Sequence, residues 1–170
     1  MPPPMRPSKK LLPAAVTNEY RGSRIALYAF AVLTVVTVAR SLVHILAPDG
    51  GASSIATIPL ADFSANGAAT VVHLFALWGL SQLLLALVYI VALLRYRSLV
   101  PFLYALAAVE YGIRLVLGFV KPIELAGTAP GGVANYAMVP LLLVLLWLSL
   151  RERPKRRARA RGGGTGEPVQ

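Results

Sequence analysis

A chain of 170 residues that is 56% hydrophobic, with a mean hydropathy of +0.65, is too apolar for an ordinary water-soluble domain of its size. The formal charge is +10, but residues 1–24 carry five Lys or Arg against Glu19, residues 151–170 carry seven against Glu152 and Glu167, and the residues between carry five against four acidic ones. Basicity confined to two tails is a topology signal rather than a nucleic-acid-binding face, so no nucleic-acid partner is expected, and the lack of cysteine excludes disulfides, thiolate metal sites and iron–sulfur clusters.

Residues 1–24, opening MPPPMRPSKK, are Pro-rich and basic and predict a disordered tail. Residues 25–46 are the first of four stretches close to the roughly 20 apolar residues that a transmembrane helix needs. This stretch is longer than the roughly 7–15 residues of a signal-peptide core, and SLVHILAPDGG offers no convincing small-x-small cleavage site, so it is expected to remain as a span. The 47–69 connection is long for a helical hairpin, and SIATIPLADF within it is either an amphipathic cap or a loose loop.

Residues 70–94, TVVHLFALWGLSQLLLALVYIVALL, contain no charge and predict the second span. A basic turn at Arg95 and Arg97 leads to the third span, 99–119, with Pro101 in its first turn. After a connection holding Lys121 and Glu124 comes the fourth, 133–150, where Pro140 should remove the bond to the Tyr136 carbonyl and bend the helix.

Residues 151–170, RERPKRRARARGGGTGEPVQ, predict a disordered basic tail suited to anionic lipid headgroups. The expected fold is all-α: an integral membrane four-helix bundle over 25–150 with disordered basic tails. Basic and non-basic segments alternate as they should for a multi-pass protein of the cell membrane with both termini cytoplasmic.

Charged side chains interrupt this apolar pattern in one layer. Thr37, Arg40, Ser41 and His44 recur at helical spacing on one face of the first span, and Glu110, Tyr111 and Arg114 do so on the third, with Glu110 and Arg114 one turn apart. At about 1.5 Å per residue from each span's outer end, Arg40 lies about 9 Å deep, Arg114 about 7 Å and Glu110 about 13 Å. The same count sets His73 level with His44, and places Asn135 and Tyr136 of the fourth span beside them.

The expectation is one polar layer in the outer half, built from Arg40, His44, His73, Glu110, Tyr111, Arg114, Asn135 and Tyr136. An ionised residue inside a bilayer costs about 2.5–3.5 kcal/mol or more, so such groups need partners. One Glu against two Arg leaves a surplus positive charge. Gln82 is assigned to the inner half; it lies nine residues from His73, on the opposite side of the helix, so at most one of the two belongs to the cluster. Ala108 and Gly112, four apart, suggest a point of close helix approach.

The stretches HLFALWGLSQLLLAL (73–87) and YGIRLVLGF (111–119) resemble the DoxX-like group of small bacterial four-helix membrane proteins, with Arg114 at the place of a family arginine. The resemblance spans about residues 25–150 and implies a membrane fold and location, with a hint of redox context.

Three functional readings remain open at this level. In one, the chain is a structural or accessory subunit without cofactor, its charges specifying packing, a homo-oligomer or a membrane partner subunit. In another, the cluster binds a small anionic or amphipathic ligand such as a lipid headgroup or quinone. In the third, His44 and His73 ligate haem in a redox subunit. No catalytic residue or metal site is expected: Walker, dinucleotide and zincin motifs are lacking, and Asp49, Ser53 and Ser54 beside His44 sit on a Gly-rich loop without a nucleophile elbow.

Overall fold

The computed structural model describes residues 11–151. Within them the architecture is helical without strands: α1 (Arg24–Leu46), α2 (Ala65–Arg95), α3 (Val100–Val120) and α4 (Pro130–Leu150), with short 3-10 turns at Leu60–Asp62 and Arg97–Leu99. All four helices are long and apolar enough to cross a membrane.

Local chemistry sets their ends. α1 starts behind Ser23, whose hydroxyl accepts from the Ile25 amide at 3.3 Å. α2 begins five residues before the expected position because Ser64 caps it, accepting from Gly67 N at 3.2 Å, so the small polar run ANGAAT forms its first turns instead of loop. α4 begins at Pro130 rather than 133, since proline tolerates the first turn of a helix, and it runs unbroken through Pro140.

The helices form two antiparallel hairpins, α1–α2 and α3–α4, with most contacts inside each hairpin. They join at the end that carries the chain termini. There Ser23 N donates to Leu148 O (3.1 Å), the Tyr20 hydroxyl to Ser149 Oγ (3.0 Å), and Thr17 N to Ser98 Oγ (2.9 Å). Part of the expected N-terminal tail is therefore tied to the helix ends. The remainder of that tail, residues 1–10, and nearly all of the C-terminal one, 152–170, lie outside the described residues.

The core fills this end. The Phe30 ring lies 5.0 Å from Tyr89 and 5.1 Å from Tyr104, whose hydroxyl donates to the Ala26 carbonyl at 2.7 Å. Burial on α3 stops at Tyr111 and on α4 starts only at Leu142. Toward the long connections the α3–α4 hairpin therefore stands largely exposed. Gly112 lies in that stretch and, among the described residues, an added Cβ meets nothing within 4 Å, so the expected close approach does not occur at Gly112, although Ala108 packs against the core. It occurs at Gly79 instead, where a Cβ would stand 2.6 Å from that of His44 and 3.0 Å from the Ser41 carbonyl.

Candidate functional site

Gly79 fixes the register from which the site follows. With α2 antiparallel to α1 and its backbone against Ser41 and His44, the next turn of α2 brings Gln82 beside Arg40. Arg40 Nε donates to Gln82 Oε1 at 2.9 Å and its Nη1 to the Tyr111 hydroxyl at 3.4 Å, so one guanidinium touches three helices. A guanidinium has only donors, so the amide oxygen of Gln82 must face it and the NH2 must point away. That Nε2 is buried, Gln82 being 4% exposed, and has no hydrogen-bond partner among the described residues.

Arg114 pairs with Glu110 one turn below it, and their side chains are 18% and 31% exposed. The Arg114 Cζ lies 4.8 Å from the centre of the Trp78 ring and 5.4 Å from that of Tyr111, and the Arg40 Cζ lies 5.9 Å from Trp78. Trp78 is thus a shared aromatic surface for two cations, at distances where the ring quadrupole attracts them. Two guanidinium groups and one carboxylate meet in this layer.

Other residues of the expected α1 stripe serve packing. Thr37 and Ser41 are buried, but their hydroxyls donate within the helix, to Leu33 O (2.8 Å) and Thr37 O (2.7 Å). His44 is buried too. Its ring stands 4.7 Å from Trp78 and 5.5 Å from Phe75, and Nδ1 lies 2.7 Å from the Gly50 carbonyl.

Gly50 begins a roof over His44. Gly50 and Gly51 have φ of 59° and 74°, which side-chain-bearing residues rarely adopt, and this turns the chain back onto the α1 end. The Asp49 carboxylate pins the turn, accepting from the amides of Ser54 (2.7 Å), Gly51 (2.9 Å) and Ser53 (3.1 Å). These amides, that of Ser54 foremost, hold the Asp49 pKa down at about 2. Thr57 then ties the roof to the second long connection: its carbonyl accepts from Ala126 N (2.8 Å) and its hydroxyl donates to Gly127 O (2.9 Å). The capping lies in residues 47–58 and so includes the first half of SIATIPLADF, through Ser54 and Thr57, whereas its second half adds one 3-10 turn, Leu60–Asp62, with no buried residue.

The structure thus gathers Arg40, Glu110, Tyr111 and Arg114, with His44 adjoining through Trp78. It does not gather His73, Asn135 or Tyr136. His73 lies six residues N-terminal to Gly79, about 9 Å further along α2 than the level of His44, and is exposed. The count that matched the two histidines assumed an α2 starting at residue 70. Haem between them does not fit, because the levels differ and His44 is already engaged by Gly50, Phe75 and Trp78. The exposed Tyr136 ring packs 6.4 Å from Phe119, and Asn135 is half-buried on the same open part of α4.

Sequence reasoning missed Gln82 and the role of Trp78. One signal for Gln82 was available: Gly79, Gln82, Ala86 and Tyr89 recur at helical spacing and form the buried stripe of α2. Compared with family models, with curated proteins and with solved structures, the chain matches none.

Proposed function

We propose that the chain is a multi-pass protein of the cell membrane, with both termini cytoplasmic, that binds a small ligand through an anionic or carbonyl oxygen at Arg40, Gln82, Tyr111 and Arg114. Four long apolar helices support the membrane location. The orientation is supported by Arg21, Arg24, Arg95, Arg97 and Arg151 at the end with the termini, against Asp49, Asp62, Lys121 and Glu124 at the other. A DoxX-like membrane fold, on the resemblance of residues 73–87 and 111–119, is part of the same proposal.

The observation that carries the ligand reading is Gln82 Nε2, a buried donor without an acceptor beside a surplus positive charge. Leaving such a group unsatisfied costs about 1–3 kcal/mol, which a bound oxygen acceptor would offset. Lipid headgroups and quinones both offer one. Native mass spectrometry of the protein released from detergent tests this: a specific adduct is expected on the wild-type chain and not on Arg40→Gln.

A second reading, an accessory subunit without ligand, is favoured by Arg40 itself. Its bonds to Gln82 and Tyr111 brace α1 against α2 and α3. Under this reading the wild type is bare, Arg40→Gln accumulates poorly in the membrane, and a partner subunit or a second copy is the object to find.

A further inference from the structure

The site is closed at one end and open along one side, and this selects the kind of ligand. Resting on the ligand reading above, we infer that the occupant is an anionic amphiphile of the outer leaflet, reaching the site sideways between α2 and α3. Its ionised head, a phosphate or carboxylate, lies on Arg40, Gln82 and Arg114, and its acyl chains run along the exposed flank of the two helices.

Charge supplies the first argument. Among the described residues Arg40 is bonded only to the neutral oxygens of Gln82 and Tyr111, while Glu110 is engaged with Arg114. An anion here meets a guanidinium whose charge is not compensated, and it reaches the Nε2 donor of Gln82, buried and turned away from Arg40, only by displacing the side chains that cover it.

Access supplies the second. The 47–57 roof covers His44, one turn beyond Arg40, and Thr57 fastens it to residues 126–127, so the way in from the aqueous end is obstructed. The seam between α2 and α3 is not obstructed. These helices touch at few points, and Trp78, which meets Arg114 across the seam, is 37% exposed. A lipid's acyl chains pass along this apolar seam at no cost in hydration and only its head sheds water on being drawn inward, whereas a free anion would have to cross the roofed end and be stripped of water entirely.

Depth supplies the third. Counting about 1.5 Å per residue from Arg24 and Arg95, Arg40 and Gln82 stand about 24 Å and 20 Å up a hydrocarbon layer about 30 Å thick. Both lie in the upper half of the layer, Arg40 about 6 Å and Gln82 about 10 Å below its boundary, so the lipid head has to be drawn inward to meet them. Below them Leu84, Leu87, Val88, Leu106 and Val109 offer exposed apolar surface to the chains.

Trp78 is a built-in reporter, because the chain has only two tryptophans. In Trp147→Phe protein reconstituted into nanodiscs, brominated phosphatidylglycerol should quench Trp78 more strongly than brominated phosphatidylcholine. The difference should vanish in Arg40→Gln and in Gln82→Leu, each checked for unchanged circular dichroism. Inorganic phosphate added to the water should leave it unchanged.

Equal quenching by the two lipids, with no response to phosphate, would overturn the inference, while the ligand reading, which also admits a quinone carbonyl, falls only if native mass spectrometry finds the wild-type chain bare. Loss of the difference on adding phosphate would overturn only the lipid occupant: the anion site would stand, with water as its source. A difference that persists in both variants would place the anionic lipid elsewhere and overturn the inference.

Discussion

Gln82 decides how much free charge the cluster keeps, since it meets Arg40 with an amide where a carboxylate would neutralise it. Gln82→Glu should convert the contact to a charge-assisted bond worth about 1.5–3 kcal/mol, offset in part by the cost of burying the new carboxylate. The expected result is an equal or higher unfolding midpoint in detergent together with loss of any anionic adduct in native mass spectrometry. Retention of the adduct would show that the surplus charge is not what binds. Arg40, Glu110, Tyr111 and Arg114 were legible in the sequence because charge and helical spacing are local properties. Gln82 was not, because its partner depends on how far α2 slides along α1, which is set by the contact of Gly79 with Ser41 and His44.

Among helices, the same contact gives a paired test. Gly79→Ala places a Cβ 2.6 Å from that of His44, with the Ser41 carbonyl at 3.0 Å, so α1 and α2 must separate. A loss of about 1–3 kcal/mol is expected, as for overpacking elsewhere. Gly112→Ala meets open space and should be neutral or stabilising by up to about 1 kcal/mol, because alanine is the better helix former. Thermal unfolding of the two variants in detergent compares them directly, and equal effects would contradict the packing described. The existence of all four helices was legible from uninterrupted apolar length. The start of α2 was not, since Ser64 and the run ANGAAT look like loop until the serine is recognised as a cap. That early start moved the depth count and produced the false pairing of His44 with His73.

Over the whole molecule, two hairpins are fastened at both ends but packed at only one. At the end with the termini the fastening is a core; at the other it is the roof, with Thr57 bonded to residues 126–127. The roof should be sensitive to acid. The Asp49 pKa is held down at about 2, so its stabilisation is fully present above its unfolded value of 3.8 and is lost as pH falls through about 2. Amide exchange at Gly51, Ser53 and Ser54 should therefore be protected at pH 5 relative to Asp49→Ala, and that difference should disappear toward pH 2. Which helices pair, and at which end they are packed, could not be read from composition, because every span is similarly apolar on all sides. The charge placement bears in addition on biogenesis. Arg40 finds Gln82 within the first hairpin, and Arg114 finds Glu110 within the second. Each half thus carries its own hydrogen-bonding partner for its arginine when it emerges from the ribosome, so that, in the proposed membrane setting, the first pair of helices can partition into lipid before the second has been translated.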